Sequence, residues 1–164
     1  MGEAAEKKHL IIHGHFYQPP RDNPWTGRIE RQQSAFPYHD WNEKITAECY
    51  LPNLRSRRLD GYGRVTALVN NYSRISFNFG PTLMGWLKKK HPRLHRGIVS
   101  ADQKSRELNG GHGNAIAQVY NHMIMPLADP RDQVTQIRWG TAHFENTFGR
   151  APEGIWLAET AVND

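Results

Sequence analysis

Four short apolar runs, each finishing on a polar side chain, constrain this chain most. They are "HLIIHG" (9–14), "SRISFNFG" (73–80), "NAIAQVYNH" (114–122) and "GIWLAE" (154–159). Runs this short, closed by glycine or a turn, read as strands rather than helices. The near-continuous apolar character of "HLIIHG" predicts a strand buried on both faces, as in a parallel sheet. Helical spacing fills the gaps. Pro81 suits a first helical position, and Leu83, Met84 and Leu87 give one apolar face. Pro92 opens a second helix, with Leu94, Ile98, Ala101, Ser105 and Leu108 on one side and Gly110-Gly111 as its stop. Asp129-Pro130 predicts an N-cap and first turn, followed by a face of Val134, Ile137, Thr141, Phe144 and Phe148 up to Gly149. Strand–helix alternation of this kind implies an α/β fold with parallel strands, and four strands fall short of a closed barrel.

In parallel α/β architectures functional groups collect at the C-terminal ends of the strands. The polar ends here are His13 and His15, Asn78, Asn121 and His122, and Glu159. They are expected to converge on one face. His13-x-His15 is open to three readings: a metal site completed by His122 and Glu159, hydrogen bonding to a polar substrate, or histidines satisfied within a packed loop. Glu159 is costly to bury unless paired. It is either an ion-pair partner of one of the arginines or a catalytic carboxylate, and glycoside hydrolysis uses two such groups flanking one bond. On a continuous strand Glu159 and Trp156 would face opposite sides.

Between the first two runs lies a long irregular region, 15–44, with four prolines and two tryptophans. Loops of this length are uncommon without a function. Trp25, Trp41, Tyr17, Phe36 and Tyr38 make it aromatic, suited to the apolar C–H faces of sugars or simply to packing. His112 sits in "GGHGN", which a helix stop and turn explain simply. Cys49, the single cysteine, excludes an internal disulfide and reads as a small buried hydrophobe.

The composition is that of a folded globular chain: 164 residues, 38% hydrophobic and 23% charged. Net charge is +5, yet it is scattered, and no basic stripe interleaved with aromatics points to nucleic acid. No run approaches the length of a membrane span or a signal peptide, so the expected setting is cytoplasmic. Residues 1–8 read as a polar tail and 9–164 as the domain.

Four segments, "HGHFYQPPRDNPW", "FNFGPTL", "GHGNAIAQVYNHMIMPL" and "FGRAPEGIWLAETAV", resemble glycoside hydrolase family 57, in its α-amylase-like branch. The resemblance runs from about residue 9 to the end. It implies the N-terminal portion of an incomplete (β/α)7 barrel, acting on α-glucans or related oligosaccharides by a retaining mechanism without a metal or other cofactor. It places the nucleophile on Glu159, with Trp156 in the same motif. His13 and His15 then line the sugar subsite, and His122 matches the histidine before the family's proline-leucine pair. Trp25, in the aromatic loop, is the further candidate for substrate contact. Two departures stand out. Ala158 replaces a proline common before the nucleophile, and the family's acid/base aspartate belongs to a later motif that this chain does not contain. Asp164 lies too close to Glu159 in sequence to serve. The chain alone is therefore expected to be silent or nearly so, since acid–base assistance contributes about 10²- to 10⁴-fold. Two other classes remain open at this level: a carbohydrate-binding module without turnover, and a metal-dependent hydrolase built on His13-x-His15.

Overall fold

The computed structural model describes residues 8–163; most of the polar tail, 1–7, lies outside them. Four segments run parallel, side by side in chain order. Strand β1 (His13–Phe16) pairs with β4 (Ser76–Phe79), with His13 opposite Ser76 and Phe16 opposite Phe79. A bridge between Phe77 and Ala115 joins β4 to the next segment, which continues as β5 (Ala117–Gln118). Strand β6 (Ile155–Trp156) pairs with β5, Ala117 opposite Ile155.

Side-chain alternation divides this sheet into two chemically distinct faces. Phe16, Phe77, Phe79, Ala117 and Ile155 point into the core, where they meet Tyr50, Tyr72 and the helices. Phe16 stacks on Phe79 at 4.7 Å between ring centroids, and Tyr72 meets both edge-on. The alternate residues, His13, His15, Ser76, Asn78, Gln118 and Trp156, lie on the other face. The central strands β4 and β5 are buried on both faces, Asn78 and Gln118 included, whereas β1 is only partly buried, with His15 exposed, which corrects the expectation for "HLIIHG". That strand also begins later than predicted. Leu10, Ile11 and Ile12 are 87%, 81% and 59% exposed, because register with β4 starts only where Ser76 N–H donates to the Ile12 carbonyl.

Three helices cover the core face. Helix α3 (Pro81–Lys90) buries Leu83, Met84 and Leu87 as the spacing predicts. Helix α4 (Pro92–Leu108) buries Leu94, Ile98, Ala101 and Ser105; Leu108, at the last turn, is exposed. Helix α5 (Pro130–Phe148) starts on the Asp129 carboxylate, which accepts from Arg131 N–H at 2.9 Å, and ends on Gly149 with φ 69°. Its buried face is Gln136, Gly140, Phe144 and Phe148. Val134 and Ile137, expected on that face, are largely exposed. The displaced face has a physical cause. At Gly140 the α5 backbone lies so close to β5 that a Cβ would run into the Gln118 carbonyl. Gln136 meanwhile holds the loop after β5, its Oε1 accepting from Asn121 N–H at 2.7 Å and its carbonyl from Tyr120 N–H. "NAIAQVYNH" consequently leaves the sheet after Gln118 instead of continuing as a strand.

A buried ion pair locks α4 to the α5–β6 connection. Arg150 donates to both Asp102 oxygens at 2.8 and 2.9 Å and to the Ala115 carbonyl, while Asp102 accepts from Ala115 N–H. A fully buried carboxylate is tolerable only when matched in this bidentate way.

The region before β4 is more ordered than its sequence suggests. Asp40 caps α1 (Trp41–Ile45), which runs through a π turn into α2 (Leu51–Leu54). A hairpin of β2 (Ser56–Leu59) and β3 (Val65–Val69) follows, its turn closed by Asp60 accepting from Tyr62 and Arg64 N–H. No described helix is long and apolar enough to cross a membrane.

Candidate active site

The polar face of the sheet gathers five of the six residues singled out in the sequence. Asn78, fully buried at the centre of β4, organises them. Its side chain lies within hydrogen-bond reach of three neighbours: His13 Nε2 at 3.0 Å from Oδ1, His15 Nδ1 at 2.9 Å from Nδ2 and 3.2 Å from Oδ1, and Gln118 Oε1 at 2.6 Å from Nδ2. His13 Nδ1 meets the Ser76 hydroxyl at 2.9 Å. His15 Nε2 lies 3.0 Å from His122 Nε2, and His122 Nδ1 lies 4.0 Å from Glu159 Oε1. One continuous polar chain therefore runs from buried Gln118 to a carboxylate that is 68% exposed.

Aromatic planes fix the rings. The Trp156 indole stacks on both imidazoles of β1, at 4.9 Å from His13 and 4.8 Å from His15. Tyr17 stacks on His122 with centroids 3.9 Å apart. Packing of this kind removes water from His15, and this desolvation, joined by the neighbouring His122 and His13, pushes its pKa below 6.5 against the hydrogen bond from Asn78 and the Glu159 charge. Burial raises the Tyr17 phenol for the same reason. The Nε1 of Trp156 and the Nε2 of Gln118 are buried donors without a partner among the described residues.

Backbone strain concentrates here. The non-glycine residues with positive φ among the described ones are His122 (56°), Glu159 (56°) and Thr160 (53°). Left-handed backbone costs an L-residue about 1–2 kcal/mol, and persists where the surroundings enforce it. At Glu159 it has a direct consequence. The strand ends at Trp156, and the reversed turn carries Glu159 back to the face that Trp156 occupies. Trp156 meets the cluster at His15 and Glu159 at His122, so both lie on one face, contrary to the opposite-face expectation drawn from a continuous strand.

Trp25 is not brought to this cluster. It lies in the turn closed by Gly27 N–H on the Asn23 carbonyl and is 92% exposed. His112 pairs with Glu153 at 2.7 Å, in the turn after α4. Cys49 packs against the core, and burial pushes its thiol pKa up. Among the described residues no group of three or more His, Cys, Asp or Glu is arranged to hold a metal ion. The imidazole nitrogens of His13 and His15 are directed at Ser76, Asn78 and His122. A groove of about 680 Å³ lies on the helical layer between Lys88, His95, Arg96 and His143 and shares no residue with this site.

Gln118 and Ser76 belong to the site but were not among the candidates read from the sequence, and Tyr17, named there only among the aromatics of the long loop, joins them. Gln118 could have been found from alternation: it follows Ala115 and Ala117 on a strand whose odd positions are small and apolar.

The sequence matches glycosyl hydrolase family 57 over residues 41–164, well over half of the chain. The chain belongs to glycosyl hydrolase family 57. The match takes in Asn78, Gln118, His122, Trp156 and Glu159, whereas His13, His15 and Trp25 precede it. A curated relative, Alpha-amylase 1 of Dictyoglomus thermophilum, is 29% identical over 86 residues, covering 52% of this chain and 12% of its own length. The fold is similar to that of a 4-alpha-glucanotransferase from Thermococcus litoralis, with a TM-score of 0.55 at 14% identity, over 91% of this chain and 18% of that one. A GH57-type branching enzyme from Pyrococcus horikoshii aligns over 91% of this chain and 34% of its own, at 18% identity and a TM-score of 0.49. The chain thus spans about an eighth of the curated relative.

Proposed function

We propose that this chain carries the nucleophile half of a retaining reaction on α-glucans, with Glu159 as the nucleophile. The observation that supports it most is the placement of Glu159. It is an open carboxylate on a reversed turn, set at the rim of a sheet face paved with His13, His15, His122 and Trp156. In this reading the four parallel segments are consecutive strands of an open (β/α)7-type barrel, and their polar face is its interior.

The chemistry divides cleanly. A Glu159 oxygen attacks the anomeric carbon, a glycosyl ester bond forms, and the glycosidic C–O bond breaks with its electron pair leaving on the departing oxygen. That oxygen needs a proton, and a second carboxyl group, about 5–5.5 Å away in retaining enzymes, normally supplies it. Glu159 is the one carboxylate whose charge reaches His15 and Tyr17 among the described residues. His13 and His15 spend their ring nitrogens on Ser76, Asn78 and His122 and the Trp156 N–H is buried, so in this reading the cluster offers a sugar a rigid aromatic surface beside Glu159 rather than free donors. Hydrolysis and transfer share this first half, so the site accommodates either outcome.

A substrate that needs no acid tests the reading. Fluoride leaves without a proton, so an α-glycosyl fluoride carrying a further ring fluorine should trap the ester on Glu159. Intact-mass and peptide mass spectrometry should show one glycosyl unit on the peptide containing Glu159 and none in Glu159→Gln. With an unactivated maltooligosaccharide the chain alone should be silent. Binding of the sugar without any labelling would instead favour a binding module.

A further inference from the structure

The polar chain beneath Glu159 has a direction, set by the donors and acceptors along it. Asn78 offers two N–H bonds and one carbonyl. If Nδ2 donates to Gln118 Oε1 and to His15 Nδ1, then Oδ1 accepts from His13 Nε2–H, and His13 Nδ1 accepts from the Ser76 hydroxyl. His15 must then carry its proton on Nε2, where it donates to His122 Nε2. His122 in turn must carry its proton on Nδ1, facing the Glu159 carboxylate at 4.0 Å. Every bond is satisfied in this sense, and the one buried donor left over at its inner end is Gln118 Nε2.

The opposite sense of protons needs both amides flipped, since with Asn78 as it stands His15 Nδ1–H would reach Oδ1 at 3.2 Å only by pressing against the Nδ2 hydrogens 2.9 Å away. In that pattern Gln118 and His15 donate to Asn78, His122 donates back to His15, and His122 Nδ1 turns a bare lone pair toward Glu159. A lone pair facing a carboxylate repels it. The two ends of the chain therefore select the same sense only when Gln118 Oε1 faces Asn78 and Glu159 is charged.

We propose that Gln118 and Asn78 are positioning residues for Glu159, acting through His15 to hold His122 as its Nδ1–H tautomer with that proton aimed at the carboxylate. The idea rests on Glu159 being the nucleophile, for which a fixed attacking oxygen matters. An otherwise exposed glutamate samples several rotamers, and a donor on a ring clamped by Tyr17 limits them. The gap of 4.0 Å closes to a hydrogen bond by a small side-chain rotation, as such contacts commonly do when substrate binds. Reversed backbone at both His122 and Glu159 is what brings the two tips together.

Ring-nitrogen NMR of the ¹⁵N-labelled full chain reads the tautomers without any turnover. The expected spectrum has His122 protonated on Nδ1 and His15 on Nε2. Gln118→Met removes the inner acceptor and should convert His122 to a mixture of tautomers, while Gln118→Glu, which keeps the acceptor, should restore the single form. If Gln118→Met does not fold, Glu159→Gln at the exposed end should produce the same mixture. Labelling by the glycosyl fluoride supplies the second readout. His122→Asn places an amide donor where Nδ1–H stands and suits the reversed backbone; it should lose some labelling rate with the Nε2 contact to His15 but stay above His122→Gln. His122→Gln places its amide where Nε2 stands and should label about tenfold more slowly, the loss of one partly exposed hydrogen bond to a charged group. A parent His122 bare at Nδ1, an unchanged tautomer in Gln118→Met, or equal labelling by the two His122 variants would overturn the proposal. Absence of labelling in the parent would instead sink the nucleophile reading, and the nitrogen spectra would still decide the direction of the chain.

Discussion

His15, His95 and His143 share one property that bears on stability. Each is held below the usual pKa of 6.5, first of all by desolvation: His15 between Trp156 and its neighbours, the other two beside the cationic groove of Lys88 and Arg96. In the unfolded chain these imidazoles titrate near 6.5, and in the folded one they do so lower. Between the two values the unfolded state binds more protons, so stability rises with pH there. It is fully present above 6.5 and declines as pH falls through the folded pKa values. The urea midpoint should accordingly be lower at pH 5.5 than at pH 7.5. His143→Gln, which cannot take up a proton, should shrink that difference; an identical slope in the variant would contradict the sign.

Among the elements, α5 shows how a residue remote from the carboxylate sets the site. Gly140 touches the β5 backbone at Gln118, the inner end of the polar chain. Gly140→Ala sets two effects against each other. Alanine favours the helix by about 1 kcal/mol, while forcing a methyl into closed packing costs about 1–3 kcal/mol. The clash is with a main-chain carbonyl, which cannot swing aside, so the overlap should win. The variant is expected to unfold at lower urea and to lose the single His122 tautomer. A more stable protein would show that α5 shifts freely. Legibility at this scale tracked chemistry. Pro81, Pro92, Asp129 and Gly149 marked helix ends where they occur, because caps are local. The buried face of α5 was not legible, since it depends on a glycine and a glutamine chosen by contact with β5. The β2–β3 hairpin was missed although "DGYG" signals its turn; the flanking "SRRL" is too polar to stand out.

For the whole molecule, the order of parallel segments was recoverable from alternation, and so was the convergence of the polar ends His13, His15, Asn78, His122 and Glu159; Trp156, expected on the side opposite Glu159, was not. Their detailed contacts were not, because they come from reversed turns at His122 and Glu159 that no periodicity encodes. The start of β1 was misplaced for a reason of the same kind: strand length depends on what lies alongside. Among the described residues, β1 is paired on one side only, by β4. Just before it, Leu10, Ile11 and Ile12 stand in solvent. An open strand edge preceded by three exposed aliphatic residues is a template for association. Burying such a side chain contributes about 1.5–3 kcal/mol, so six across two copies offer about 9–18 kcal/mol. Lost translational and rotational freedom costs about 4–15 kcal/mol. The balance predicts weak, concentration-dependent self-association rather than a tight dimer. Sedimentation velocity over a wide concentration range should show the average mass rising, and Ile11→Lys should hold it at 18.9 kDa without changing the urea midpoint. A parent chain that stays monomeric throughout would mean that residues 10–12 are covered from within the chain.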